Sequence, residues 1–317
     1  MWPGSSRGTS LAFSVQNGHH ATVSSRHFSF IVTPEDAGLR IDQLLAKHVP
    51  GLSRRTARKV LLIGGVFVES ARVKIASKII QPGHKVDVHL GGALETVTAA
   101  DKMAPPELDL LFEDEHLLVV DKPAHLATAA TRESDRHNLL YYLSQRPSSL
   151  HLHLVHRLDM ETSGLLVVAK TADAAHRLSE LFRAHDLERI YRAAVFGDLQ
   201  DAQTVDEPIE GRPARTIFTT VERSAGVTLT EARLKTGRTH QIRVHALHMG
   251  HAVMGDRRYG HRTDHDPPRL ALHARVLGFR HPTTDQLMRF EREWPADLRD
   301  WWQGLAQGKA SEAALGS

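Results

Sequence analysis

The sequence predicts an α+β protein of two domains. A small domain with two helices and short strands precedes a larger domain with a mainly antiparallel mixed sheet flanked by helices. Three observations predict this. The 317 residues exceed what one ordinary core needs. Residues 91–106 are polar, with Gly at one end and Pro-Pro at the other, as in a linker. Beyond them, many strand-like runs are interrupted by few helical patterns.

The same features set the expected boundaries. We predict a disordered tail over residues 1–27, a small domain over 28–90, a linker over 91–106, a large domain over 107–302 and a flexible tail over 303–317. The first 27 residues contain no acid and carry Arg7 and Arg26, so a transit peptide is the alternative reading of that tail.

Composition excludes several classes of protein. No run of about 18 apolar residues exists, so we expect no membrane span. The chain has no cysteine, which excludes disulfides, thiolate metal sites and cysteine nucleophiles and fits a cytoplasmic location. Forty basic against 37 acidic residues leave a net charge of only +3. A polyanionic partner must therefore be argued from the local distribution of charge.

In the small domain, "FSFIV" is typical of a strand and "RIDQLLAKHV" of a helix. A second helix is predicted in "LSRRTARKVLLIGG", with Ser53 as its N-cap and Gly64-Gly65 as its stop. The runs "VFVES", "KII" and "KVDVHL" then predict short strands.

The second helix carries a basic face. At 100° per residue its four cations fall within about 140° of arc, opposite an apolar face. Residues 43–68 contain no acid. Four cations without a nearby acid favour binding to nucleic-acid phosphates, and a solvated helix face is the alternative. The cations are Arg54, Arg55, Arg58 and Lys59, and the apolar residues opposite are Ala57, Val60 and Leu61.

In the large domain, six runs predict strands and two segments, 172–185 and 239–249, predict helices. Thr239 is the expected N-cap of the second of these helices, and Ile242, Ala246 and Met249 form its apolar stripe. The strand-like runs are "LLVV" (117–120), "LHLHLV" (150–155), "LLVVAK" (165–170), "IYRAAVFG" (190–197), "VTLTEARL" (227–234) and "RLALHARVLGF" (269–279).

The segment "HRLDMETSG" (156–164) lies between two of these strands. A plain turn would use Gly, Asn or Pro, whereas this one places His156, Arg157 and Asp159 at its tip. A carboxylate in that position can serve as a nucleophile or a base, and a turn aspartate that caps backbone amides is the alternative.

Residues 38–88 resemble the S-four RNA-binding domain, a compact αL module of RNA enzymes. The matching positions are Arg40, Asp42, Leu45, Ser53, Arg54, Gly65, Val66, Val68 and Gly83. Two departures, Glu69-Ser70 in place of Asn-Gly and His84 in place of Asp, lie at turns, so we expect altered loops within an intact fold.

Three further segments closely resemble the RluA family of pseudouridine synthases: "HRLDMETSGLLVVAK" (156–170), "RIYRAAVFG" (189–197) and "LKTGRTHQIRVHALHMGHAVMGDRRYG" (234–260). "DKPAHLAT" (121–128) and "LALHARVLGFRHP" (270–282) extend the match, with His125 standing where Gly is usual. The resemblance implies that Asp159 is the catalytic carboxylate, attacking ribose, attacking the base or abstracting a ribose proton.

The resemblance also implies roles for the residues around Asp159. Arg243 is expected to pair with Asp159, and Arg238 is the other candidate for that ion pair and otherwise an RNA contact. Tyr191 is expected to stack on the target base and to assist removal of the proton from carbon 5. Arg157 is expected to fill the space that the flipped base leaves, and His156 to contact RNA phosphates or bases.

These inferences predict an enzyme that isomerises uridine to pseudouridine in RNA, most simply large-subunit ribosomal RNA, as a monomer and without a cofactor or metal. A tRNA-directed synthase and a non-catalytic RNA-binding or assembly factor are the alternatives. A metal-dependent hydrolase is a third, because His151 and His153 share one strand face, although no HExxH motif accompanies them.

Overall fold

The computed structural model describes residues 26–91, 106–132, 134–146 and 151–308. The chain divides into two compact units between residues 99 and 100. Most of the predicted N-terminal tail and linker, and residues 309–317 of the predicted C-terminal tail, lie outside the described residues. No helix within the described ranges is long and apolar enough to cross a membrane.

The first unit is an antiparallel sheet packed against two helices. Its sheet has the order β1-β4-β2-β3. Ser53 caps the second helix as predicted, because its Oγ accepts the backbone N–H of Thr56 at 3.1 Å. The elements are β1 (Arg26–Ile31), a 3-10 turn (Pro34–Asp36), α1 (Ile41–His48), α2 (Arg54–Leu62), β2 (Val66–Val68), β3 (Ala71–Arg72) and β4 (Lys85–Leu90).

The turn between β2 and β3 keeps the fold despite its unusual sequence. Glu69 and Ser70 both adopt positive φ, 49° and 66°. That conformation suits the right-handed twist of a two-residue hairpin and is normally given to Asn-Gly. The Glu69 carboxylate also accepts the backbone N–H of Lys85 at 2.6 Å, which ties the turn to β4.

The second unit contains a ten-stranded mixed sheet. The strand order is β10-β11-β12-β9-β13-β8-β6-β5, with β14 paired to β13 and β7 to β8. The neighbouring strands are antiparallel except β8 and β13. The strands are β5 (Asp109–Glu113), β6 (Leu117–Lys122), β7 (His153–Leu154), β8 (Ser163–Ala169), β9 (Glu188–Phe196), β10 (Ala202–Val205), β11 (Thr216–Ser224), β12 (Val227–Leu234), β13 (Leu272–Arg280) and β14 (Leu287–Glu291).

Helices cover both faces of this sheet at β6 and β8, which explains their uninterrupted apolar sequences. Leu117 and Val119 pack toward Leu178 of the helix Ala172–Ala184, here α4. Leu118 and Val120 point to the other face, toward Leu139 of the helix Leu139–Ser144, here α3. Because successive strand residues alternate sides, a strand buried on both faces must be apolar throughout. The helices are α3 (Leu139–Ser144), α4 (Ala172–Ala184), α5 (Gln241–His248) and α6 (Ala296–Ala306).

Several predicted elements need correction. Of "LHLHLV" only His153–Leu154 forms a strand, and in "KII" Ile79 makes a single bridge to Arg40. The strand predicted to start at Phe28 starts two residues earlier, at Arg26. The C-terminal helix continues past residue 302 to Ala306, because Leu305 is buried with Leu298 and Trp302 in one apolar cluster.

The parallel pairing of β8 and β13 positions the loop that precedes β8. Its register joins Ser163 to His273 and Gly164 to Ala274. The Ser163 hydroxyl lies 2.9 Å from His273 Nδ1. Gly164 has φ +116°, and an added Cβ would lie 2.4 Å from the Ala274 carbonyl oxygen. Only glycine therefore permits the two backbones to approach this closely.

We expect Gly164→Ala to lower the free energy of unfolding by roughly 2–5 kcal/mol, because it combines an unfavourable φ with a backbone clash. Urea unfolding followed by tryptophan fluorescence measures this. Gly304→Ala is the matched control: Gly304 lies in α6, its added Cβ meets nothing within 4 Å, and the change should be neutral or slightly stabilising. Equal midpoints for the two variants would contradict the close-approach argument.

Candidate active site

The loop between β7 and β8 carries Asp159, and hydrogen bonds with Thr128 and Lys122 hold its backbone in place. The Thr128 hydroxyl donates to the Leu158 carbonyl at 2.7 Å, and the Leu158 N–H donates back to Thr128 Oγ1 at 3.2 Å. On the other side of Asp159, the Met160 carbonyl accepts from Lys122 Nζ at 3.4 Å. The backbone on both sides of Asp159 is therefore fixed by Lys122, the last residue of β6, and by Thr128, which follows that strand.

Lys122 is fully buried beneath this loop. Its Nζ also donates to the carbonyls of Pro123 and Leu126, at 2.9 and 2.8 Å. Burial lowers the pKa of Lys122 to about 7, although the neighbouring Asp159 carboxylate raises it. Three backbone acceptors around one amine join the 122–126 turn to the loop that carries Asp159, a role that the sequence reasoning missed. Within that turn His125, which replaces the usual Gly, adopts the left-handed conformation at φ 61°.

Arg243 meets Asp159 as predicted. The Arg243 Nη1 lies 3.3 Å from Asp159 Oδ2, and the Arg243 side chain is only 5% exposed. Asp159 keeps 23% of its side chain exposed, toward the cleft. Arg238, the other candidate, instead donates its Nε to the Pro213 carbonyl at 2.9 Å.

Asp256 holds the Arg243 guanidinium in place. Arg243 Nε and Nη2 donate to the two Asp256 oxygens at 2.6 and 2.7 Å, a bidentate pair. Burial raises the pKa of the Asp256 carboxyl, but Arg243 and two backbone amides outweigh this and hold it below its usual value. Burial likewise opposes the charge of Arg243, yet the carboxylates of Asp256 and Asp159 raise its pKa. Arg243 is therefore a permanent cation with one free edge for Asp159.

The helix that supplies Arg243 begins one residue later than predicted. Its N-cap is His240, in the left-handed conformation at φ 54°, rather than Thr239. Gln241 stabilises this unusual start, because its side-chain carbonyl accepts the Arg238 N–H at 3.0 Å and the Thr236 hydroxyl at 2.8 Å. These bonds orient the first turn of α5 so that Arg243 points into the cleft.

The left-handed cap also brings His240 to the carboxylate. His240 Nε2 lies 3.6 Å from Asp159 Oδ1, and His240 Nδ1 lies 2.9 Å from the Tyr259 hydroxyl. The Tyr259 ring in turn lies 5.1 Å from the Arg243 guanidinium carbon. Sequence reasoning missed both residues, although both fall inside the quoted segment 234–260, where the Gly-Asp-Arg-Arg-Tyr-Gly run was the available signal.

A single cleft brings together five of the ten predicted site residues, Arg157, Asp159, Tyr191, Arg238 and Arg243. Burial raises the pKa of Tyr191 to about 12, so its phenol stays protonated near neutral pH and offers a flat, neutral face. Arg157 is exposed at the edge of this cleft. The lining residues are Arg157, Leu158, Asp159, Thr162, Tyr191, Leu234, Arg238, His240, Gln241, Ile242, Arg243 and Leu272.

His156 packs within the protein beside the loop that carries Asp159. Its Nε2 accepts the backbone N–H of Val167 at 3.0 Å, and its ring stacks on Phe182 at 4.3 Å. Burial lowers its pKa to about 3, so the imidazole is neutral. The neutral ring, bonded to β8, supports the loop, and the contact of His156 with RNA phosphates or bases stays a prediction.

The basic face of α2 also needs correction, because an acid from α1 lies beside it. The buried carboxylate of Asp42 accepts from Arg58 Nε at 2.8 Å and lies 3.5 Å from Arg54 Nη2. Among the described residues, Arg55 and Lys59 have no carboxylate partner. This acid lies just outside the acid-free range 43–68, because Asp42 is in the first turn of the preceding helix.

Within the described ranges, no group of three or more His, Asp or Glu side chains is arranged to hold a metal ion. His151 is exposed and His153 half-buried, and only the latter belongs to β7.

Comparison with known proteins gives matches to both units. Residues 116–248 match the family described as RNA pseudouridylate synthase, and residues 39–86 match the S4 domain. A protein of Nitrosomonas europaea named ribosomal large subunit pseudouridine synthase D is 37% identical over 85% of this chain and 85% of its own. One of Escherichia coli named ribosomal large subunit pseudouridine synthase C is 33% identical over 88% and 96%.

Solved structures give the same fold. The chain matches human RNA pseudouridylate synthase domain containing 1 with a TM-score of 0.52 and 26% identity, over 61% of this chain and 87% of that one. Human RNA pseudouridylate synthase domain containing 4 matches with a TM-score of 0.52 and 22% identity, over 67% and 95%, a likeness of fold alone.

We expect Asp256→Asn to lower the free energy of unfolding by about 3 kcal/mol, because it leaves the buried Arg243 charge without its bidentate partner. Urea unfolding measures the change. Glu293→Gln is the matched control, since Glu293 also pairs with an arginine, Arg275, but is 69% exposed, and should change stability by less than about 0.5 kcal/mol. A loss at Asp256 as small as the control's would show that the buried pair is not an anchor.

Proposed function

The chain belongs to the RluA family of RNA pseudouridine synthases, with an S4 domain at its N-terminal side, and on that premise we propose that it isomerises specific uridines of large-subunit ribosomal RNA with Asp159 as the catalytic carboxylate. The observation that carries the assignment of Asp159 is its 3.3 Å contact with the buried Arg243 in a cleft that Tyr191 also lines.

The chemistry requires few groups. The bond between uracil nitrogen 1 and the ribose breaks, the uracil turns, and a bond forms between ribose and carbon 5. Carbon 5 then loses its proton and nitrogen 1 gains one, so the reaction is balanced without an oxidant, a reductant or a cofactor. A carboxylate serves as nucleophile or base for these steps, and a fixed guanidinium beside it holds its position.

Arg243 and Tyr191 have complementary parts in this proposal. Arg243 cannot swing away from Asp159 because Asp256 holds it through two bonds. Tyr191 presents the neutral face on which a flipped uracil stacks, a contact that contributes about 1–3 kcal/mol per base. Its protonated phenol supports the stacking role. For Tyr191 to accept the proton from carbon 5, another group must first take the phenolic proton.

Arg157 is proposed to compensate for base flipping. Extruding the target nucleotide costs a few kcal/mol, and a long planar side chain that occupies the vacated stack recovers part of that. Arg157 is exposed two residues before Asp159 and lines the same cleft.

Large-subunit ribosomal RNA is proposed as the substrate because relatives that align over most of the chain carry that substrate in their names. The S4 domain supports an RNA substrate, with Arg55 and Lys59 as the cations of α2 available to phosphate. Mapping pseudouridines in ribosomal RNA and tRNA from a strain that lacks this protein tests the choice. Loss of sites in tRNA alone would overturn it in favour of a tRNA-directed enzyme.

We expect Asp159→Asn to reduce the release of tritium from RNA labelled at uridine carbon 5 by about 100- to 10,000-fold while RNA binding persists. Arg157→Ala should reduce release by a smaller factor, because it weakens flipping and leaves the chemistry intact. Equal losses in both variants with RNA still bound would contradict the flipping role. Wild-type protein that binds RNA and releases no tritium would favour an assembly factor, and activity abolished by a strong chelator would favour metal-dependent chemistry.

The double variant Arg55→Ala/Lys59→Ala should weaken RNA binding and reduce the slope of log K against log salt by about two, one for each phosphate contact. Fluorescence anisotropy at several salt concentrations measures both. Lys85→Ala is the control, because Lys85 lies on β4 with its ammonium 3.3 Å from the Asp87 carboxylate. A slope unchanged from wild type would contradict a phosphate role for α2.

A further inference from the structure

A short exposed segment, residues 257–262, follows the buried Asp256 and is here called the rim segment. Its basic side chains are Arg257, Arg258, His261 and Arg262, all exposed. Within the described ranges, none of these four forms an ion pair, whereas arginines such as Arg192, Arg269 and Arg275 pair with carboxylates. The rim segment therefore presents cations whose charge is not already neutralised.

Asp256 connects the rim segment rigidly to the catalytic pair. The carboxylate that grips Arg243 also accepts the backbone N–H groups of Arg258 and Tyr259, at 2.9 and 3.0 Å. The Gly260 N–H donates to the Asp256 carbonyl at 3.0 Å, and a Cβ at Gly260 would lie 2.7 Å from that oxygen. The tight turn fixes where Arg258 leaves the backbone relative to Arg243.

Arg258 is linked to the proposed catalytic cleft by a series of contacts through Tyr259 and His240. Its guanidinium carbon is 5.3 Å from the centre of the Tyr259 ring. The Tyr259 hydroxyl contacts His240, which faces Asp159. Burial lowers the pKa of His240, Asp159 raises it, and the charges of Arg243 and Arg258 lower it further. Arg258 is thus within electrostatic reach of the cleft, yet its own side chain faces solvent.

An aromatic edge accompanies these cations. Phe196, at the end of β9, is 40% exposed, and its ring meets His261 edge-on at 5.0 Å. Unpaired arginines next to an exposed aromatic ring are typical of surfaces that bind single-stranded nucleic acid, where the cations follow the backbone and the ring receives a base.

A flipped nucleotide explains why cations are needed here. When the uracil enters the cleft beside Asp159, its sugar and the two flanking phosphates remain at the cleft edge. We propose that the rim segment binds these phosphates, with Arg258 as the principal contact and Arg257 beside it. Arg258 stacked on Tyr259 keeps its planar fork oriented for two parallel hydrogen bonds to one phosphate. This inference rests on the proposed function, since it takes RNA as the substrate.

The alternative is that Arg258 merely supports Tyr259 and, through it, His240. The two readings differ in what removal of the charge does. A phosphate contact contributes to affinity and to the salt dependence of binding, whereas a supporting residue alters turnover with affinity unchanged.

The test uses the full chain and an unmodified large-subunit ribosomal RNA transcript, tritiated at uridine carbon 5. Arg258→Ala should raise Kd and KM about 5- to 10-fold and reduce the slope of log K against log salt by about one, with a smaller change in kcat. Arg257→Ala/Arg258→Ala should reduce the slope by about two, and Arg258→Lys should retain the wild-type slope. Arg299→Ala, an exposed arginine of α6 outside the cleft and rim segment, is the matched control.

The outcomes separate this inference from the proposed function. Wild-type turnover combined with wild-type KM and slope in Arg258→Ala overturns the phosphate site and leaves the function standing. A fall in kcat at unchanged KM and slope also overturns it, in favour of the supporting role. Wild-type protein that releases no tritium while the Arg258→Ala slope falls overturns the function and keeps the RNA contact.

Discussion

The site depends on one buried cation, Arg243, which hydrogen-bonds to two carboxylates and has a third, that of Glu161, 3.9 Å away. Arg243 is held by Asp256 through two short bonds and offers its remaining edge to Asp159 at 3.3 Å. A guanidinium that is buried needs such a partner, since removing it from water is costly. Because Asp256 is that partner, Asp159 is not needed to compensate the buried charge of Arg243. The Asp159 side chain therefore stays partly exposed in the cleft. The structural ion pair and the ion pair proposed for catalysis therefore use different acids on one arginine.

Distant parts of the chain must meet for this arrangement to exist. Asp159 comes from the loop before β8, Arg243 from the first turn of α5, and Tyr191 from β9. The parallel pairing of β8 with β13, in which Gly164 lies against Ala274, fixes where the loop that carries Asp159 joins the sheet. Lys122 and Thr128 then fix the loop from below by bonding to backbone carbonyls at Met160 and Leu158. Neither of these residues touches the proposed chemistry, yet both determine where Asp159 lies.

Arginines in this protein serve distinct purposes according to what neutralises them. Arg54 and Arg58 belong to a cluster around the buried Asp42, and Arg275 bridges strands through carboxylates on the sheet. Such paired arginines stabilise the fold and have little charge left for a polyanion. Arg55 and Lys59 on α2 and Arg257 and Arg258 on the rim segment are among the cations that have no carboxylate partner in the described part of the chain, so their charge remains available to phosphate. Net charge, at +3, reveals none of this.

The sequence by itself determined the α+β class and most strand and helix positions, because these follow from local periodicity. Its contiguous motifs carry the family resemblance that implies Asp159, Tyr191 and Arg243 as site residues. It did not determine the left-handed start at His240, the anchoring by Asp256 and Lys122, the burial of His156 against Phe182, or the pairing of α2 arginines with Asp42. Each of those is a specific contact of a side chain with a group that is not its neighbour in the chain, or a backbone conformation that such contacts stabilise. Only the tertiary structure decides which charge meets which, since a residue's neighbours in space, and not its neighbours in the chain, supply the dielectric and the partners that fix its role.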